Sequence, residues 1–259
     1  MRTAEHKNHR CALGRVSALC LSLCLAVVAA SAQSPRSAVT GQVEVIRHNA
    51  GKAVSTPGNA PDRSNVVVWL MLLDNATAPP LTTLPAQQHP QLVQHNKSFE
   101  PHVLVIQVGT TVQFPNKDPF FHNVFSLFDG KRFDLGLYEG GSTNSARFDR
   151  AGISFLFCNI HPEMSAVVVA VATPYFAVSD HAGRVAFSNI PDGRYLMHVW
   201  YERSSSDDLK NLDRTISLSQ STRSLPFIQV TDNGDFKLAH KNKYGQDYIP
   251  SSSPAYNRP

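Results

Sequence analysis

The sequence is poor in cysteine, in charge and in long apolar runs. Only 4 of its 259 residues are cysteine, and three of these, Cys11, Cys20 and Cys24, lie near the start. Charged residues make up 17% and hydrophobic residues 42%, with 14 Gly and 17 Pro, which excludes a coiled coil, a collagen and a wholly disordered chain. The formal net charge of +4 falls to +1 without residues 1–32, and no basic run is present, so we expect no nucleic-acid partner.

The first 32 residues have the pattern of a signal peptide. A basic stretch ending at Arg15 precedes the apolar run 16–30, which is shorter than the roughly 20 residues that a membrane-spanning helix needs. Ala30 and Ala32 then form the small-x-small pattern of a cleavage site. We expect cleavage after Ala32, a periplasmic or secreted mature protein, and no integral membrane segment in the mature chain. An uncleaved N-terminal anchor is the alternative.

Cleavage after Ala32 would leave Cys158 as the only cysteine of the mature chain. Exported proteins meet oxidising conditions in which cysteines usually pair, but a lone thiol cannot form an intramolecular disulfide. Three interpretations remain open from the count alone: an inert buried thiol, an intermolecular disulfide or a metal ligand.

Short apolar or alternating segments, separated by Gly- and Pro-rich turns, predict an all-β fold. Almost nothing between residues 39 and 172 has the 3.6-residue apolar period of a helix, so an antiparallel sandwich or barrel is favoured. A second group of strand and turn patterns begins at Pro174. The predicted strands of the first group lie at 39–46, 66–73, 103–108, 111–114, 153–157 and 166–171.

One cluster of residues predicts metal chemistry. Cys158, His161 and Met164 lie within seven residues, in a loop between two predicted strands, and His122 lies in an apolar segment upstream. Thiolate, imidazole and thioether are the donors that copper prefers in a His2Cys site with a weak axial Met. Each residue alone has an ordinary explanation, since a single buried His is usually structural and Met164 could be core filler. The combination favours a copper site.

Residues 95–172 resemble the cupredoxins, the plastocyanin- and amicyanin-like blue copper proteins. The resemblance implies a Greek-key β-sandwich with one type 1 copper ion, with His122, Cys158 and His161 as equatorial ligands and Met164 as the axial ligand. It also implies that Asn123 hydrogen-bonds to the ligand loop and holds it. The matching segments are Phe99–Val105, Val108–Asn116, His122–Val124 and Cys158–Met164.

Residues 174–201 more weakly resemble the small carboxypeptidase-regulatory-like β-sandwich. Together, the two resemblances predict that a copper domain is followed by a smaller β-sandwich domain and a tail. The expected division is a signal peptide at 1–32, a cupredoxin-like domain at 33–172, a second sandwich at 173–231 and a flexible tail at 232–259.

The expected function is the transfer of single electrons between protein redox partners, with His161 as the exposed ligand through which the electron passes. We expect no enzyme activity, because a multicopper oxidase needs further His-rich motifs and a binuclear copper centre needs two cysteines. The alternatives are a copper carrier without electron transfer, and a copper-free structural β-domain. Five phenylalanines are expected to exclude water from the site: Phe120, Phe121, Phe125, Phe155 and Phe157.

Overall fold

A computed structural model of the chain describes residues 38–47, 62–74, 89–127, 130–234 and 241–248. These residues form strands with one short helix, which confirms the predicted all-β class. The predicted signal peptide, residues 1–32, lies outside them. The described part of the chain contains no helix long and apolar enough to cross a membrane. The elements are β1 (Val39–Arg47), β2 (Val67–Leu72), β3 (Val93–His95), β4 (Ser98–Glu100), β5 (Val103–Gln107), β6 (Thr111–Pro115), β7 (His122–Ser126), β8 (Phe133–Tyr138), β9 (Thr143–Arg147), β10 (Gly152–Phe157), β11 (Ser165–Val171), β12 (Phe176–Val178), β13 (Arg184–Phe187), β14 (Gly193–Trp200), α1 (Ser206–Lys210), β15 (Arg214–Leu218) and β16 (Ile228–Asp232).

The first two strands belong with the last five. β1 lies between β13 and β16, and β2 lies between β12 and β14 in a sheet that β15 completes. A buried core that includes Val43, Leu70 and Tyr195 fills the space between these two sheets. We call this unit the flanking sandwich. It corrects the predicted domain division, because the strands at 39–47 and 67–72 pair with strands after residue 175 and not with those between residues 93 and 171.

Strands β3 to β11 form a second sandwich that is inserted between β2 and β12. One sheet has the order β5-β11-β10-β7-β8, and the opposite layer contains the pairs β3-β4 and β6-β9. Bridges from Gln91 to Gln113 and from Gln94 to Asn116 connect these two pairs. A core that includes Phe114, Leu156 and Met164 lies between the layers. We call this unit the inserted sandwich. Most of the described strand pairs are antiparallel, whereas the β5-β11 and β1-β16 pairs are parallel.

The continuous apolar run of β11 is explained by burial on both faces. Successive side chains of a strand point to opposite faces of its sheet. Ala166, Val168 and Ala170 face the core of the inserted sandwich. The alternate valines of β11 instead pack into a third apolar layer with Val67 and Trp200 of the flanking sandwich. The same two-sided burial accounts for the apolar run in β2, where no polar face is needed.

The C-terminal segment does not match the predicted tail. β16 continues to Asp232, whose buried carboxylate pairs with Arg203 at 2.7 Å. Residues 241–248 form a turn that hydrogen-bonds to the loop after β10. The rest of the predicted tail, residues 235–240 and 249–259, lies outside the described residues.

Candidate metal centre

His122 begins β7, a strand whose five residues are all buried. Its Nε2 lies 2.7 Å from Oδ2 of Asp118, itself almost fully buried. A carboxylate can only accept a hydrogen bond, so the ring proton is on Nε2 and the lone pair of Nδ1 is free to bind a metal. Asp118 therefore sets the tautomer that a metal ligand requires.

The loop between β10 and β11 brings three further side chains to the same end of β7. β10 runs antiparallel to β7 with Phe157 opposite Phe125, so the residues that follow β10 meet the start of β7. Within this ligand loop, the backbone N–H of Cys158 donates to the carbonyl of Met164 at 3.3 Å, and Met164 N–H donates to His161 at 3.1 Å. The loop thus folds back on itself and places Cys158 and His161 beside His122.

The donor atoms of His122, Cys158 and His161 have the spacing of a metal site. Nδ1 of His122 lies 3.1 Å from Nδ1 of His161, and Sγ of Cys158 lies 3.8 Å and 3.5 Å from these two nitrogens. A point in the plane of the three atoms and equidistant from them is about 2.0 Å from each, close to the roughly 2.0–2.3 Å of metal–nitrogen and metal–thiolate bonds. These three residues are the described cluster of His, Cys, Asp and Glu side chains that could hold a metal ion.

Met164 is fully buried in the core of the inserted sandwich, in the same cluster as Cys158. Its backbone N–H and carbonyl groups close the ligand loop. The fold therefore places Met164 at the end of the loop in an apolar environment, and its role as an axial ligand stays a prediction.

The turn between β3 and β4 fixes the carboxylate that orients His122. Asn96 and Lys97 both have positive φ angles, 51° and 53°, as in the tightest hairpin turns. This turn directs the N–H groups of Asn96 and Lys97 to Asp118 at 2.7 and 3.0 Å. Burial acts to raise the pKa of Asp118, but these N–H groups and His122 outweigh it and hold the pKa below its ordinary value. Asp118 is therefore an anion beside the candidate site at neutral pH.

Cys158 has the environment of a ligand that ionises only with a metal. Burial raises the pKa of its thiol, while N–H groups from Ile160, Asn123 and His161 hydrogen-bond to the sulfur and act in the opposite direction. Without a cation the group is a protonated, unreactive thiol at neutral pH. The same N–H groups would stabilise the thiolate once a metal ion displaces the proton.

Asn123 bonds to the ligand loop through its backbone, while its side chain bonds elsewhere. Its side-chain amide donates to Asp134 at 2.7 Å and to the carbonyl of Gly136 at 2.9 Å, both on β8. Only its backbone N–H reaches the ligand loop, at the Cys158 sulfur. β7 is irregular between Asn123 and Phe125 in its pairing with β8.

The aromatic shell is partly as expected. Phe120 packs against both histidines, with ring centroids 5.1 Å from His122 and 5.7 Å from His161. Phe125 and Phe157 lie deeper, 6.0 Å apart. Phe121 is 55% exposed and is not part of the shell, because it precedes the buried strand β7 and points to solvent.

Asp118 is not among the site residues predicted from the sequence. A detectable signal was present, since Asp118 is four residues before His122 and a metal-bound His commonly donates its second N–H to a carboxylate.

Replacing Asp118 with asparagine is expected to raise the reduction potential of bound copper, because the lost negative charge had favoured the more highly charged ion. A unit charge at roughly 7 Å in an effective dielectric of about 20 contributes about 2 kcal/mol, or roughly 100 mV for one electron. Voltammetry of Asp118→Asn measures this shift. Asp213→Asn is the matched control, because Asp213 pairs with His198 at 2.8 Å in the flanking sandwich. An unchanged potential in Asp118→Asn would contradict a metal bound to His122.

Comparison with known proteins gives similarity to part of the chain. No family model matches, and no curated protein matches the sequence. Among solved structures, a purple cupredoxin from Nitrosopumilus maritimus is 26% identical over 32% of this chain and 99% of its own, with a TM-score of 0.29. A Cu(I) amicyanin with a methionine replaced by alanine is 22% identical over 32% of this chain and 81% of its own (TM-score 0.30). A reduced amicyanin with a tryptophan replaced by tyrosine is 23% identical over 34% of this chain and 86% of its own (TM-score 0.32).

Proposed function

We propose that this protein is an exported type 1 copper protein that carries single electrons between protein redox partners and is not an enzyme. The observation that carries the proposal is the convergence of two imidazole nitrogens and one thiol sulfur, all within bonding reach of a single point. Copper, when bound there, supplies one-electron exchange between its two oxidation states. His122, Cys158 and His161 would hold it, with Met164 as the weak fourth donor.

The residues around the site favour electron transfer over catalysis. His122, Cys158 and Met164 are fully buried, and hydrogen bonds fix the first two, so the donors need little rearrangement when the charge of the site changes. Half-buried His161 is the ligand that reaches the surface, which makes it our candidate for the point where an electron enters and leaves. Export is supported by the signal-peptide pattern of residues 1–32.

The test is addition of Cu(II) to the purified protein, followed by visible spectroscopy, metal analysis and voltammetry. We expect an intense blue colour from the thiolate–copper bond and a reversible one-electron wave. Colour without fast, reversible exchange would identify a copper carrier instead. Zinc retained alone, with no copper uptake, would make the site structural, since zinc also accepts Cys and His.

Electron exchange is expected to slow on acidification, because His161 can leave the reduced ion and take up a proton. Burial, and then the neighbouring His122, lower the pKa of His161 in the metal-free protein, so the neutral ligand persists to lower pH than usual. The slowing should therefore begin below the ordinary imidazole pKa of about 6.5 and not above it. His181→Ala, which removes an exposed histidine of the flanking sandwich, should leave this profile unchanged. A flat rate down to about pH 5 would contradict release of His161.

A further inference from the structure

Residues 241–248, which we call the C-terminal clasp, form a turn that is held by its own hydrogen bonds. The side-chain oxygen of Asn242 accepts from the N–H groups of Tyr244 and Gln246, each at 3.0 Å. The backbone of Asn242 bonds to Gln246 and Gly245, each at 2.9 Å. The clasp therefore has a defined shape with which to contact the inserted sandwich.

The clasp bonds directly to the ligand loop. The hydroxyl of Tyr248 donates to the backbone carbonyl of Cys158 at 2.8 Å, and the N–H of Lys243 donates to the side-chain oxygen of Asn159 at 3.0 Å. Both are shorter than the loop's own backbone bonds at Met164, of 3.3 and 3.1 Å. The hydroxyl is the donor of this bond, because a backbone carbonyl can only accept a hydrogen bond.

A second connection runs through β8. Nζ of Lys243 lies 2.7 Å from Oδ2 of Asp134, and Oδ1 of Asp134 accepts from the side chain of Asn123 at 2.7 Å. The backbone N–H of Asn123 bonds to the sulfur of Cys158. The clasp is thus connected to Cys158 in two ways. One connection is direct, to the backbone carbonyl of Cys158, and the other leads through Asn123 to its sulfur.

We propose that the clasp is a positioning element of the metal centre, in which Tyr248 and Lys243 hold the ligand loop in its binding conformation. A loop that is already ordered loses less conformational freedom when it binds, and it opens less often to release its ligand. The clasp should therefore slow loop opening in the metal-free protein. The clasp should also slow the loss of bound copper and set its reduction potential, an expectation that rests on the proposed function.

The decisive comparison is Tyr248→Phe against Tyr244→Phe in the full chain. Tyr248→Phe removes only the hydroxyl that bonds to Cys158, whereas Tyr244 is 70% exposed and lies in the same turn. Hydrogen exchange of the metal-free protein should be about two- to tenfold faster at the amides of residues 158–164 in Tyr248→Phe, the effect of one ordinary hydrogen bond. Tyr244→Phe should match the parent protein.

Lys243 supplies an independent variant. Lys243→Met should lose the bond to Asp134 and likewise speed exchange in the ligand loop, and Lys243→Arg should restore the slow rate because it keeps the positive charge. With copper bound, transfer of the ion to a chelator should accelerate about two- to tenfold in Tyr248→Phe and Lys243→Met. Their potentials should also shift, while that of Tyr244→Phe stays at the parent value.

The possible results distinguish the proposed role of the clasp from the proposed copper site. Faster loop exchange in a protein that never binds copper would support the clasp and refute the proposed function. Normal blue copper binding, with the same loop exchange and the same copper loss in all variants, would overturn the clasp and leave the proposed function standing.

Discussion

Cys158→Ser is expected to abolish the intense visible absorption of the copper-loaded protein while the fold is retained. The colour depends on the bond between thiolate and copper, and a serine hydroxyl is not a thiolate. Serine is nearly the same size as cysteine, and its oxygen can accept the N–H groups of Ile160, Asn123 and His161 that surround the sulfur. Visible spectroscopy measures the loss of colour, and circular dichroism reports whether the strands persist.

A companion variant tests the opposite side of the same site. His122→Ala should also lose the native spectrum, because His122 is the donor that β7 contributes to the cluster. His181→Ala is the matched control, since the His181 side chain is 89% exposed in the flanking sandwich and pairs with Asp62. A Cys158→Ser protein as blue as the parent would refute the assignment of copper to this site.

Met164 should strongly affect the reduction potential of bound copper without being required for copper binding, because an axial thioether binds copper weakly. Met164→Gln is expected to bind copper and remain coloured with a lower reduction potential, since an oxygen donor favours Cu(II). Met164→Leu should raise the potential, since loss of a donor favours the less charged Cu(I). Voltammetry should show both shifts to exceed that of Asp118→Asn, because Met164 would contact the ion directly.

The opposite signs of the two shifts exclude a general effect of disturbing the core. Met164 is fully buried, so either substitution perturbs packing, and a packing effect alone would not reverse sign with the donor atom. Equal potentials in the parent, Met164→Gln and Met164→Leu proteins would show that Met164 is core filler and that the copper has three protein ligands.

Strand positions followed from local patterns, but strand partners did not. The apolar run at 66–73 and the strand at 166–171 were predicted within a residue or two of β2 and β11. That β2 pairs with β14, more than 120 residues away, was not predictable. The residues of a strand indicate how deeply it is buried. The strands with which it pairs depend instead on packing between segments that are far apart in sequence. The predicted assignment of β1 and β2 to the first domain was wrong for this reason, whereas β11 ends at Val171, next to the predicted boundary at residue 172.

The amino-acid sequence by itself determined which residues are candidate ligands. Cys158, His161 and Met164 are close in sequence, so a turn after β10 can bring them together, and the combination of their donor types favours copper. Only the tertiary structure decided what surrounds them. The N–H groups of Asn96 and Lys97 reach Asp118 from more than 20 residues away, and Tyr248 reaches Cys158 across 90 residues. Hydrogen bonds between distant segments form only once the sheets have packed, so no local pattern in the sequence encodes them.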